Sequence, residues 1–217
     1  FNCFYKPCEQ VGGDFYDVFR IDEENIGVYI CDVSGHGVSA AMITVFIKQV
    51  IASLINQKNN VLYSSSETLA LLNKFFIEEA FGELFATMSY GVFNEKSSEF
   101  TYSSAGHCST YTVTKDGKVK ELEHGGFAIG WFPELTLVAH TLTIDKGSKI
   151  IFSTDGIFEA INHKGEIWGE KSFCSCIEKS AHLFAQEFIQ KIVEGMEEHI
   201  GKEAQNDDIA ILTMEVQ

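Results

Sequence analysis

Proline is scarce in this chain. Two prolines occur in 217 residues, and no polar or repetitive stretch marks a linker. The sequence therefore reads as one domain, residues 1–217, without internal repeats. Basic residues are scarce too: 16 lysines and arginines stand against 31 aspartates and glutamates, for a formal net charge of −15. No basic stripe is present, which argues against a nucleic-acid partner. Six cysteines, at 3, 8, 31, 108, 174 and 176, form no CxxC pair and no zinc-type spacing with histidine. Reduced thiols in a cytoplasmic protein are expected. No run reads as long or apolar enough to cross a membrane, so no membrane contact is expected. The opening stretch FNCFYKPCEQ resembles a strand and not a signal peptide, and its abrupt start suits a fragment of a longer protein.

What is present is an apolar chain with sharp periodicity. Hydrophobic residues make up 45%, enough for a substantial core. Phe15 to Ile21 and Ile26 to Cys31 read as strands joined at Asp22-Glu23-Glu24-Asn25. The second is nearly continuous in apolar residues, as in a strand covered on both faces. Ile43, Ile47, Val50, Ile51 and Leu54 recur at helical spacing. A second helix opens at Ser64-Ser65-Ser66-Glu67, a capping box, and turns Leu69, Leu72, Phe75 and Phe76 inward. Hairpins are expected from Thr87 to Ser104, from Thr110 to Leu122 and from Leu137 to Thr154. A helix over about 182–199 and a strand from Ile209 to Val216 complete the reading. Strands with helices inserted in blocks indicate an α+β fold.

Carboxylates recur at strand ends. If the first turn centres near Glu23, Asp14 faces Asp32 across two strands, with Cβ atoms roughly 5 Å apart. Two charges that close repel by about 3 kcal/mol at an effective dielectric near 20. A proton or a cation must relieve the repulsion, unless the register differs and both are exposed. Asp155 ends an apolar strand before Gly156, and Asp207-Asp208 opens the last strand. Oxygen-only clusters suit Mg²⁺ or Mn²⁺, although Asp-Gly and Asn-Asp are also ordinary turn residues. Asp17, three residues after Asp14, should point to the other face and bind no metal.

The runs VGGDFYDVF (11–19), CDVSGHGVSAAM (31–42), FATMSYGVF (85–93), SAGH (104–107), STDGIFEA (153–160) and NDDIAIL (206–212) resemble the PPM-type metal-dependent serine/threonine phosphatases. The match is to the bacterial branch of the stage II sporulation protein E and RsbU phosphatases, and it extends over essentially the whole chain. The resemblance implies an α-β-β-α four-layer sandwich with two central antiparallel sheets. It implies two cations, Mn²⁺ or Mg²⁺, with Asp14, Asp32, Asp155 and Asp207 as ligands. Asp32 would bridge the two, and the backbone carbonyl of Val33 would bind one. Asp207 is preferred over Asp208, which is kept as a second candidate and otherwise supports the strand start. The implied chemistry is direct hydrolysis by water without a phosphoenzyme.

His36 lies two positions beyond the histidine of the eukaryotic Asp-Gly-His-Gly motif. It is a candidate catalytic residue or, more plainly, a loop residue on the rim. His107 is expected to end a strand and order a turn. The resemblance also implies a phosphoserine or phosphothreonine substrate on a regulatory protein of the anti-sigma-factor antagonist type, and a sensor or receiver domain upstream. Two other readings remain at this stage. Gly12-Gly13-Asp14-Phe15 is similar to the diguanylate cyclase signature, but those enzymes need a long α/β segment that eleven preceding residues cannot supply. A non-catalytic interaction domain of the same fold would not need all four aspartate positions.

Overall fold

The computed structural model describes residues 1–217, the side chain of residue 185 excepted. The chain runs through strands β1 (Asn2–Lys6), β2 (Asp14–Arg20) and β3 (Asn25–Val33), then helices α1 (Gly37–Asn56) and α2 (Ser65–Glu79). Strands β4 (Ala86–Asn94), β5 (Glu99–Ala105), β6 (Tyr111–Val113) and β7 (Val119–Glu121) follow. After β8 (His140–Thr143) and β9 (Lys149–Ser153) come helices α3 (Gly169–Ser180) and α4 (Ala185–Ile200), and β10 (Ile209–Glu215) ends the fold. The α+β class with two antiparallel sheets is thus present, and the elements divide between two compact units.

The larger unit comprises Val11–Cys108 and Glu123–Ile144. Its five strands lie in the order β2-β3-β4-β5-β8. Tyr29, Cys31 and Val33 of β3 pack with Met88 and Tyr90 of β4 against Ile43, Ile47 and Ile51 of α1 and Leu69, Leu72 and Phe76 of α2. Half of the expected capping box forms: the Glu67 amide donates to Ser64 Oγ at 3.4 Å, whereas the Ser64 amide donates to the Val61 carbonyl at 2.9 Å. One expectation is corrected by α1. Its 20 residues include an 18-residue window with a mean hydropathy of 1.9, and by length and composition the helix is long and apolar enough to cross a membrane. The same composition serves a core helix, because the stripe Ala40, Ile43, Ile47, Ile51 and Leu54 is buried.

The β2–β3 turn is held by one carboxylate. Asp22 accepts from the amides of Glu24 (2.8 Å) and Asn25 (2.7 Å), from Asn25 Nδ2 and from the Tyr63 hydroxyl. These donors, the Asn25 side chain foremost, hold its pKa at about 2 instead of the ordinary 3.8. Because the folded-state value is depressed, the stabilisation is complete above the ordinary value and is lost as pH falls toward the folded one. The urea midpoint of the wild-type chain should therefore fall more steeply between pH 5 and pH 3 than that of Asp22→Asn. Parallel pH profiles would remove Asp22 from the turn's stability.

The smaller unit comprises Phe1–Gln10, Ser109–Leu122 and Asp145–Gln217. Its strands lie in the order β1-β10-β9-β6-β7. Phe188, Ile192, Val193 and Met196 of α4 are buried. Lys149, 1% exposed, donates to the Ala181 carbonyl at the end of α3 (2.9 Å) and approaches Glu215 at 3.6 Å. It ties a helix end to the sheet, with the Phe188 ring 5.3 Å from its ammonium.

The hairpin expected from Leu137 to Thr154 does not form. β8 pairs with β5 in the larger unit, whereas β9 pairs with β10 and β6 in the smaller one. The turn at 145–148 carries the chain from one sheet to the other. All five residues of β9 are buried, as a central strand requires, while β8 is a half-exposed edge strand. The sequence reading also omitted α3, whose buried side is only Phe173, Ile177 and Ser180. Two large apolar residues in twelve make a weak periodic signal.

Candidate metal centre

In the larger unit the expected pairing is present: Asp14 stands opposite Asp32 in the β2–β3 ladder. Directly paired residues project to the same face, here the face opposite the one α1 and α2 cover. Asp14 is 4% exposed, and Asp32 is half-buried. The Cys31 thiol between the strands is pushed up, first by burial and then by the charges of Asp14 and Asp32. Asp17 behaves as expected, projecting to the helix side, where Lys48 of α1 reaches its carboxylate at 2.8 Å.

The segment after β3 is tightly held. The Val33 amide donates to the Gly13 carbonyl at 3.2 Å. A Cβ at Gly13 would stand 2.7 Å from the Val33 carbonyl oxygen and 3.1 Å from Ala40 Cβ, so only glycine lets the two segments meet there. Ser34 is anchored twice to Phe85, through its own amide and through its hydroxyl, each at 2.9 Å. His36 is exposed immediately before α1, and its side chain does not cap the helix.

In the smaller unit Asp155 follows β9 and opens a short 3₁₀ turn, its carbonyl accepting from Phe158 and Glu159. Thr154 locks this point to β10, with the Ala210 amide donating to Thr154 Oγ1 at 2.9 Å. The Asp155 carboxyl is pushed above its ordinary pKa by burial first, then by the charges of Asp207 and Glu159. Asp207 accepts from the Asp208 amide at 2.8 Å. Asp208 is buried and accepts from the Cys8 amide at 2.7 Å, tying the loop after β1 to the start of β10. Gly156 makes the closest approach in this unit: a Cβ there would lie 2.0 Å from the Asp208 carbonyl oxygen.

The described residues contain no group of three or more His, Cys, Asp or Glu side chains placed to hold a metal ion. The acids come as two pairs, Asp14 with Asp32 and Asp155 with Asp207. The donors nonetheless fit a hard divalent cation. They are all carboxylate or carbonyl oxygens, and within each pair like charges are forced together under partial burial, a cost a cation offsets.

The structure adds two residues that motif reading undervalued. Thr87 is the register partner of Asp32 on β4, and His107, 3% exposed, places Nδ1 2.8 Å from Thr87 Oγ1. Strand pairing alone could have pointed to Thr87. No local signal points to the histidine contact, which depends on the turn after β5.

Comparison with known proteins adds independent findings. The family model described as Stage II sporulation protein E (SpoIIE) matches residues 22–217. Among curated relatives, Phosphoserine phosphatase RsbU of Bacillus subtilis is 29% identical over 88% of this chain and 55% of its own. Protein IcfG of Synechocystis is 26% identical over 98% of this chain and 37% of its own. The chain thus spans about a third to a half of the length of these relatives. The solved SiaA-PP2C domain of Pseudomonas aeruginosa superposes with a TM-score of 0.89, covering 100% of this chain and 85% of that one at 21% identity. At that identity the likeness shows the fold alone.

Proposed function

The chain belongs to the stage II sporulation protein E family, and from that membership and its paired aspartates we propose that it is a metal-dependent serine/threonine protein phosphatase. The observation that carries the reading is the Asp14–Asp32 pair, two carboxylates held as register partners with Asp14 buried. The proposed ligands for two ions, Mn²⁺ or Mg²⁺, are Asp14, Asp32, the Val33 carbonyl, Asp155 and Asp207, with Asp32 bridging. When bound, such cations lower the pKa of water and neutralise charge on the phosphoryl oxygens.

The chain's own residues do the positioning. The β2–β3 ladder holds Asp32 beside Asp14, and Gly13 leaves space for the Val33 carbonyl. Asp208, already accepting from Cys8, serves the strand start, which leaves Asp207 as the preferred ligand of that pair. His36 is kept on the rim, and no step is assigned to it.

The proposed substrate is a phosphoserine or phosphothreonine on a regulatory protein. The phosphoserine phosphatase RsbU supports that class. An anti-sigma-factor antagonist as partner, an upstream sensor or receiver domain and a cytoplasmic setting belong to the same proposal.

The test is phosphate release from para-nitrophenyl phosphate and from a phosphoserine peptide. Release is expected with Mn²⁺ or Mg²⁺ and should stop on chelation. No release from any phosphoserine peptide with either cation, or cleavage of phosphodiesters alone, would overturn the proposal.

A further inference from the structure

Asp14, Asp32 and Thr87 are successive register partners on β2, β3 and β4, so their side chains form one row on one face of the sheet. His107 extends that row. β5 ends at Ala105, and Gly106, at a φ of +68°, reverses the chain so that the next side chain returns toward β4. The turn is pinned by the Gly106 amide on the Gly125 carbonyl at 3.0 Å and by Ser104 Oγ on the His107 carbonyl at 3.5 Å. The imidazole is thereby buried with Nδ1 2.8 Å from Thr87 Oγ1. A polar ring on a polar row, held by a built turn, is more than a strand needs in order to end.

We propose that His107 is a positioning residue for Asp32, acting through Thr87. Nδ1–H donates to Thr87 Oγ1, which turns the Thr87 hydroxyl proton toward the carboxylate opposite it on β3. One oxygen of Asp32 is then held by a hydrogen bond, and the other is left in a set direction. This inference rests on the reading of Asp32 as a metal ligand. Hydrogen bonds to a ligating carboxylate orient it, and their loss typically costs about 10- to 100-fold in metal affinity or activity.

The test measures Mn²⁺ binding by calorimetry on the folded chain, alongside kcat and KM. His107→Ala and Thr87→Val should each weaken Mn²⁺ binding about 10- to 100-fold and lower kcat with little change in KM. The double variant should be no worse than either single one, since both break the same relay. His107→Asn, which keeps an N–H donor near the Nδ1 position, and Thr87→Ser should recover most of the affinity. Wild-type Mn²⁺ affinity in folded His107→Ala overturns the proposal. If that variant fails to fold, wild-type affinity in Thr87→Val overturns it instead. Asp32→Asn separates the two readings. If it binds Mn²⁺ as the wild type does, the ligand assignment has failed. If it loses binding while Thr87→Val and folded His107→Ala bind like the wild type, the assignment stands and only the relay through the Thr87 hydroxyl is refuted.

Discussion

Asp32→Asn should lower phosphate release roughly a thousandfold while leaving the metal-free chain at least as stable as the wild type. The two halves of this result have one cause. Asp32 and Asp14 are opposed on adjacent strands, with Asp14 4% exposed. Without a cation their repulsion, about 3 kcal/mol at an effective dielectric near 20, works against the fold. Because Asp32 is only half-buried, solvent screening reduces the recoverable part to about 1 kcal/mol. With a cation the same geometry becomes an asset, and losing a ligand charge removes several kcal/mol of electrostatic stabilisation, roughly a thousandfold in kcat. The measurements are the thermal midpoint with chelator and with Mn²⁺, and kcat on a phosphoserine peptide. The wild-type midpoint should rise with Mn²⁺ and that of the variant should respond weakly. A metal-free variant clearly less stable than wild type, with its Mn²⁺ response intact, would contradict the reading of this pair.

Gly156→Ala should be the most damaging small substitution. The added carbon would stand 2.0 Å from the Asp208 carbonyl oxygen, 3.1 Å from its carbon and 3.3 Å from Asp207 Cβ. Two of the three are backbone atoms, so no rotamer change relieves the clash, and the start of β10 or the turn after β9 has to move. Overpacking of this kind costs about 3 kcal/mol. For a chain of this length that lowers the thermal midpoint by roughly 6–12 °C. The displaced segment carries Asp155 on one side and Asp207 on the other, so Mn²⁺ affinity should fall as well. A variant that melts within a degree or two of wild type would show that this approach is not a constraint.

Several features could be read locally. The Asp14–Asp32 pairing followed from aromatic and β-branched strands around a turn at Asp22–Asn25, because a two-residue period and a single turn leave one register that buries the right face. The structure adds only that Asp22 secures the turn with five hydrogen bonds. The buried stripe of α1 was readable for the same reason, since Ile43, Ile47, Ile51 and Leu54 repeat at helical spacing within one window. The expectation that no run is long and apolar enough to span is corrected at the same helix, whose apolar composition suits a core helix as well as a spanning one.

The sequence by itself determined the first hairpin and its opposed carboxylates, the two early helices and the six motifs that identify the family. Only the tertiary structure decided that β8 and β9 join different sheets, that twelve weakly patterned residues form α3, that Asp208 is taken by Cys8, and that His107 reaches Thr87. The first group depends on periodicity and turn chemistry within a few residues. The second depends on which distant segment offers the better burial and the matching hydrogen bonds, and for Cys8 and Asp208 that partner lies 200 residues away.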